Sequence, residues 1–316
     1  MKIAVLDDYQ NVVKDLEAFK LIKSHDVKIF NSSFKTNEDL VKTIIDFDAI
    51  VLIRERTIIN EELLKKLPNL KVISQTGKVG SHIDMKACEK YNIKVVDGKG
   101  SPISTAELTF ALILNSSRNI NLYESNLKKS IWQNSSFLGL GESLYNKNLG
   151  IWGYGNIGKK VARFAKAFDM NVTIYGSENS IKNAINDGFN ATNSKEEFFS
   201  NMDIITLHLK LNENTKECVS KNDLLLMNDN SILINTSRSA LIQKDALFEV
   251  LSQNKTKKAA IDVFDTEPTD IDDEPLLKLD NVLATPHIGF VEKENYELYF
   301  KTAFENLINI KLTNEY

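Results

Sequence analysis

Short apolar runs alternate with amphipathic stretches from one end of the chain to the other. That alternation predicts βαβ units and parallel sheets, whose strands are buried on both faces and read as near-continuous apolar runs. Residues 3–6, 27–30, 49–53, 70–74 and 93–96 predict five strands. Helix-length segments lie between them, at 37–45 and 60–67 for example. Asn60, followed by Glu61 and Glu62, gives the second of these a capped start matched to the helix dipole. This first block of about 100 residues is complete as one small α/β domain.

At residues 97–102 the chain turns glycine-rich (Asp-Gly-Lys-Gly-Ser-Pro) before a long helical segment, 105–118. We place a domain crossing there. The polar, Asn- and Ser-rich stretch 119–146, which includes Trp132 and Leu140, reads equally as an extended arm, a subunit contact or a surface hairpin. A second βα series starts at Asn148, with strands expected at 149–152, 172–175, 204–207, 231–235, 259–262 and 282–284. Six parallel strands opening on a glycine-rich turn match a doubly wound dinucleotide domain. A final helix, 291–312, is too long to cap a finished sheet alone and is expected to run back to the first domain. The expected organisation is α/β, with two doubly wound parallel-sheet domains: 1–100 with 290–316, interrupted by 101–289.

Composition narrows the function class. A chain of 316 residues accommodates two ordinary domains. A net charge of −4 with both signs interspersed leaves no footprint for nucleic acid or an anionic membrane. No apolar run approaches the roughly 18 residues that span a bilayer. The opening Ile3-Ala4-Val5-Leu6 meets Asp7 and Asp8 at once, too short a run for a signal peptide and right for a buried strand. Cys88 and Cys218 have no CxxC spacing, which predicts a reduced, cytoplasmic protein without disulfides or zinc.

The sharpest local signal is Gly153-Tyr154-Gly155-Asn156-Ile157-Gly158, after a strand and before an amphipathic helix. Gly153 permits the tight turn, Gly155 lets the backbone approach a pyrophosphate, and Gly158 lets helix and strand pack closely. The helix N-terminus then offers free N–H groups to the phosphates. Such motifs usually carry an acidic residue about 20 residues on, at the end of the second strand, to grip the ribose 2′-OH. Here Gly176 stands in that place, followed by Ser177 and Glu178. The repulsion that rejects a 2′-phosphate is gone and Ser177 offers a hydroxyl, yet no arginine follows closely. NAD and NADP both stay open as cofactor.

Three further segments carry charged or titratable residues just past an expected strand, the edge at which open α/β sheets bind ligands. They are Asn235-Thr236-Ser237-Arg238, Asp262-Val263-Phe264-Asp265-Thr266-Glu267-Pro268, and Thr285-Pro286-His287-Ile288-Gly289. Hydride transfer at a carbinol carbon needs a base for the hydroxyl proton, and histidine titrates near neutrality. A carboxylate partner fixes an imidazole's tautomer and favours its charged form. Arginine supplies the fork that holds a substrate carboxylate and polarises a keto oxygen.

These four motifs, in this order and spacing, resemble the D-isomer-specific 2-hydroxyacid dehydrogenase family over nearly the whole chain, and within it the short phosphoglycerate dehydrogenase-like members. The resemblance implies catalytic roles for Arg238 at the substrate carboxylate and carbonyl, His287 as acid/base and Glu267 as its partner. It implies that Thr236, Asp262 and Gly289 meet the nicotinamide, and that His208, Leu209, Lys210 and Thr215 border the adenosine. It further implies a flavodoxin-like substrate domain, an active site in a cleft between the domains, and a homodimer in which 119–146 takes part. Departures from the family pattern are Ser239 for a usual Gly, Gly176 for the usual Asp, Lys210 for a common Pro, and loosely kept glycines in the substrate loop Gln75 to Asp84.

For the substrate, Gly77, Lys78 and Val79 lie in that loop, and Arg54, Arg56 and Lys78 sit just past strands of the first domain. They are placed to add positive charge for a second anionic group, and by resemblance Arg54 matches a phosphate contact. A solvated, self-paired Arg54-Glu55-Arg56 turn is the equal alternative. Phosphoglycerate, glyoxylate and hydroxypyruvate are the expected small-molecule substrates. A cofactor-sensing protein akin to transcriptional corepressors of this fold is the alternative from another class, and a formate-type dehydrogenase the third.

Overall fold

Alternate residues of the first strand point to opposite sides of a sheet, and both sides are buried. Ile3 and Val5 join one apolar cluster, while Ala4 and Leu6 join another on the far face. The same division runs through the third strand, with Ala49, Val51 and Ile53 on one side and Ile50 and Leu52 on the other. Burial on both faces is what continuous apolar runs require. The computed structural model describes residues 1–310. By contact the chain divides into two units: Met1–Ser101 together with the chain from Phe290 onward, and Pro102–Gly289.

The first unit is built on β1 (Lys2–Val5), β2 (Asp26–Ile29), β3 (Ala49–Leu52), β4 (Val72–Gln75) and β5 (Lys94–Val96), in the order β2-β1-β3-β4-β5. Every pair is parallel, with Ile3 opposite both Val27 and Ala49. This is the flavodoxin-like order. The helix Lys293–Asn309 covers one face. Its Tyr296, Tyr299, Phe300, Ala303, Phe304 and Leu307 recur at three- and four-residue spacing, so one stripe faces the sheet. Residues 311–312 of the expected final helix lie outside the described residues. Asn60 caps the helix Glu61–Leu64 through its side chain, which accepts from the Leu63 N–H.

The second unit carries β6 (Asn148–Trp152), β7 (Asn171–Tyr175), β8 (Asn190–Ala191), β9 (Ile204–Leu207), β10 (Ile232–Asn235), β11 (Lys258–Ile261) and β12 (Val282–Ala284). Their order is β12-β11-β10-β9-β6-β7-β8, again parallel throughout. The sheet has seven strands where six were expected, because the two-residue β8 is too short to show a period. The winding direction reverses between β6 and β9, at the end of the glycine-rich strand, and such switch points are where ligands bind. The helix Pro102–Arg118 starts three residues ahead of expectation, with the proline in its first turn. The stretch 119–146 forms a helix, Ile120–Lys128, and a short turn, Ser136–Leu138. It leaves Trp132 75% and Leu140 89% exposed.

Among the described residues, no helix is long and apolar enough to cross a membrane, and no group of three or more His, Cys, Asp or Glu is placed to hold a metal ion. Cys88 and Cys218 are free thiols. Cys88 is 1% exposed, and burial, with Asp84 nearby, pushes its pKa up to about 11. A group whose acid is favoured in this way adds stability below the thiol's ordinary range, and loses it as pH rises through about 11. At pH 8 an aromatic disulfide reagent should therefore leave Cys88 unlabelled in the native protein and label it fully in denaturant. Rapid native labelling of Cys88, read by peptide mass, would contradict this placement.

Candidate active site

The turn from β6 into the helix Asn156–Ala167 is shaped by its glycines. Gly153 has φ +102°, and a Cβ there would meet the His208 carbonyl oxygen at 2.5 Å. A Cβ on Gly158 would lie 2.1 Å from the Gly153 carbonyl oxygen, so helix and strand approach only because it is absent. Gly155 differs: a Cβ there would meet nothing within 4 Å. The space above it is open, beside the first turn of a twelve-residue helix whose cap residue has no side chain. The leading N–H groups of that helix, at Asn156 and Ile157, have no partner within it. An open cradle, exposed backbone donors and the positive end of a helix fit a dinucleotide's pyrophosphate.

Around this turn the structure gathers the other cofactor candidates. Gly153 donates its N–H to the Tyr175 carbonyl (2.9 Å) and His208 donates to the Trp152 carbonyl (2.8 Å), while the Leu209 side chain lies 3.2 Å from a Cβ built on Gly153. Burial pushes the His208 imidazole down to about 3, so it is neutral, with Nε2 3.1 Å from the Thr206 hydroxyl. Thr215 donates its hydroxyl to the Lys210 carbonyl (2.7 Å) and thereby closes its own loop. Gly176 has φ +155°, and a Cβ there would sit 3.3 Å from that of Ser180. Ser177 caps the helix Glu178–Asn186, accepting from the Ser180 N–H and donating to the Ser180 hydroxyl (3.2 Å).

The three charged candidates follow three neighbouring strands at the same sheet edge. Arg238 comes three residues after β10, Glu267 six after β11 and His287 three after β12. His287 Nδ1 and Glu267 Oε2 are 2.5 Å apart. The other oxygen of Glu267 accepts the Phe264 N–H at 3.0 Å, which fixes the carboxylate from behind. The Glu267–Pro268 peptide is cis. Arg238 donates from Nη1 to the Ser237 carbonyl (2.6 Å), and its own carbonyl accepts from the Asn235 side chain (2.8 Å).

Behind His287 lies Asp262, fully buried. Its carboxylate accepts from the Thr285 hydroxyl (2.6 Å), the Ile288 N–H (2.8 Å) and the Gly289 N–H (2.8 Å). Burial raises its pKa, and these three donors with His287 pull it back. Thr236 is also buried, sharing a hydroxyl hydrogen bond with Thr109 at 2.8 Å.

In the first unit, Arg54 lies over the substrate-loop candidate Gly77, where a Cβ would fall 2.3 Å from its Nη1. Lys78 instead pairs with Asp97 at 2.8 Å. Val79 is partly buried against the apolar cluster that contains Ile83 and Leu63.

Residues 110–289, more than half the chain, match the model of the D-isomer specific 2-hydroxyacid dehydrogenase, NAD binding domain. The chain belongs to this family. It is 33% identical over 277 residues to a hydroxypyruvate reductase of Thermotoga maritima, covering 87% of this chain and 88% of that one. It is 38% identical over 260 residues to a D-3-phosphoglycerate dehydrogenase of Methanocaldococcus jannaschii, covering 82% of this chain but 49% of that protein. The chain thus spans about half the length of such phosphoglycerate dehydrogenase relatives. A solved phosphoglycerate oxidoreductase from Vibrio cholerae is 48% identical, with a TM-score of 0.96 and 98% of each chain covered.

Other site residues escaped the sequence reading. In this family member Tyr154, between two motif glycines, donates its hydroxyl to Asp187 (3.0 Å), which also pairs with Lys159 (3.0 Å). Thr105 donates to the Gly289 carbonyl (3.0 Å). The four-residue spacing of Thr105 and Thr109 on one helix was the available signal. The bracing of the His287 turn by Asp262 gives a direct test. Asp262→Ala should speed hydrogen exchange of the Ile288 and Gly289 amides by about tenfold or more, the loss of roughly one strong hydrogen bond each. Unchanged exchange at both amides would show that the carboxylate does not hold the turn.

Proposed function

We propose that this chain is a nicotinamide-dependent oxidoreductase of small D-2-hydroxy acids and the matching 2-keto acids. The observation that carries the reading is the His287–Glu267 pair, 2.5 Å apart, with the carboxylate locked from behind by the Phe264 N–H. With Glu267 on Nδ1, we assign Nε2 as the ring nitrogen that takes the substrate's hydroxyl proton in oxidation and returns it in reduction. Glu267 stabilises the imidazolium that results. Arg238 holds the substrate carboxylate and polarises the carbonyl, a task its planar fork suits. A bound nicotinamide cofactor supplies or accepts the hydride. Asp262, Thr236 and Gly289 shape the wall on its nicotinamide side, and His208 to Lys210 with Thr215 border its adenosine.

The names of relatives, hydroxypyruvate reductase, glyoxylate reductase and D-3-phosphoglycerate dehydrogenase, support hydroxypyruvate, glyoxylate and 3-phosphoglycerate as first substrates. Arg54, with Gly77, Lys78 and Val79, is our candidate for the substrate's second anionic group. On the cofactor, Gly176 leaves no carboxylate at the end of β7 to repel a 2′-phosphate, so we infer that NADP is accepted as well as NAD. A homodimer using the exposed apolar residues Trp132 and Leu140, in a reducing cytoplasm, completes the proposal.

The test is a reductase screen of the three acids' keto forms, or 3-phosphoglycerate oxidation, with NAD(H) and NADP(H) side by side. Turnover should fall about 10² to 10⁴-fold in His287→Ala. Arg238→Lys should lower kcat and raise KM together, since a point charge does not reproduce the fork. Tight cofactor binding without turnover on any of these acids would sink the enzyme reading.

A further inference from the structure

Arg54 and Arg56 are two residues apart in one turn, and their sequence positions do not tell them apart. The structure does. Arg54 has φ +57°, a left-handed conformation that is unfavourable for a non-glycine residue and persists only where its surroundings over-determine it. Two fully buried side chains grip its peptide groups: the Thr76 hydroxyl accepts the Arg54 N–H (3.1 Å), and the Gln75 amide donates to the Arg54 carbonyl (2.8 Å). Its Nη1 reaches across Gly77. Its Nε is buried without a hydrogen-bond partner.

Arg56 is committed inward. Its Nη1 donates to the Asp7 carbonyl at 2.6 Å. Its guanidinium lies 4.3 Å from the Tyr9 ring centre and 5.3 Å from that of Phe290, the stacking that a planar cation makes and an ammonium does not. The next residue, Thr57, hydrogen-bonds the Asp7 carboxylate, so consecutive residues are tied to one buried anchor. Beside them is Asp8, fully buried, whose carboxyl is raised by burial and drawn back first by the Val13 and Val12 N–H groups and then by the Arg56 charge. Arg56 is therefore held within the turn by the Asp7 carbonyl and the two rings. Arg54 lies 5.7 Å from the Phe290 ring centre and 6.0 Å from that of Tyr299.

We propose that Arg56 is a positioning residue that holds the Arg54 turn in its left-handed shape and so presents the Arg54 guanidinium to an anionic substrate group, and is not itself a second contact for that group. The presenting half rests on the assignment of Arg54 above; the holding half stands on the turn alone, and the experiment separates them.

Two readouts are taken on the full chain for Arg56→Gln, Arg56→Lys, Arg54→Ala and the Arg54→Ala/Arg56→Gln double variant, with melting temperatures measured throughout. The first is the rate of tryptic cleavage at the Arg54–Glu55 bond, which needs the turn to open. Arg56→Gln should raise it about tenfold or more, and Arg56→Lys nearly as much. The second is KM for 3-phosphoglycerate. Arg56→Gln should raise it about tenfold with a smaller change in kcat, yet add less than about twofold in the Arg54→Ala background, the non-additivity of residues acting through one another. Unchanged cleavage in Arg56→Gln overturns the proposal. So does additivity in the double variant, or full restoration of KM by Arg56→Lys, since either marks Arg56 as an independent charge on the substrate. If Arg54→Ala alone leaves KM unaltered, the assignment of Arg54 to the substrate fails, and the cleavage rate then decides whether Arg56 holds the turn.

Discussion

A carboxylate is kept in a protein interior only where donors surround it, and Asp262 meets that condition in a way that shapes the site. Its three donors straddle His287: the Thr285 hydroxyl comes before it and the Ile288 and Gly289 amides after it. His287 itself has φ +51°, a conformation of appreciable cost outside glycine, and the clamp on both flanks maintains it. A Cβ on Gly289 would lie 3.0 Å from the carboxylate, so the close approach of the last amide depends on that residue's lack of a side chain. Glu267, which meets the imidazole, follows the same strand as Asp262. The direction and backbone of His287 are therefore both set from β11, although the residue itself follows β12.

The phosphate-loop candidate is constrained in the same indirect fashion. Gly153 closes a hydrogen bond to the end of β7, and the residue before it accepts one from the start of the segment after β9. Two neighbouring strands thus carry their ladders one step into the turn and leave Gly153 no room for a side chain. The Tyr154 side chain is directed away from the open space, to Asp187. What remains uncovered is the backbone at Gly155 and the start of the helix, the part suited to an anion.

Much of this was legible in sequence, and the pattern of what was not is physical. Strands buried on both faces announce themselves as apolar runs, so all eleven expected strands lie within two residues of expectation at each end, and those at 204–207 and 282–284 did not move. The two residues of β8 carry no period to read. Local motifs with a local job, such as Gly153 to Gly158, were visible for the same reason. Asp262 was read only as a nicotinamide contact by resemblance, because its donors lie 23 to 27 residues downstream. Lys78 groups with Arg54 and Arg56 by charge and strand-end placement, while its ion-pair partner Asp97 is 19 residues away. Arg54 and Arg56 have the same chemistry and strand-end placement, and what separates them is the remote Asp7 carbonyl that Arg56 binds and the Tyr9 ring that it covers.

The departures from the family pattern can be judged by backbone conformation, and they are not equivalent. Ser239 stands where glycine is usual, yet it is absent from the residues with positive φ and begins an ordinary short helical turn, Ser239–Leu241. Nothing in that turn requires glycine, so the substitution leaves the loop after Arg238 intact. Gly176 is the opposite case. Its φ of +155° is one that side-chain-bearing residues rarely adopt, and a Cβ there would crowd Ser180. The chain has therefore not merely lost a carboxylate at the end of β7; it has taken a backbone path that disfavours one. Putting Asp at this single position would bring back the charge but strain the turn that must aim it. The end of β7 is consequently shaped by the whole Gly176-Ser177-Ser180 turn, in which the Ser177 hydroxyl donates to that of Ser180 and caps the following helix.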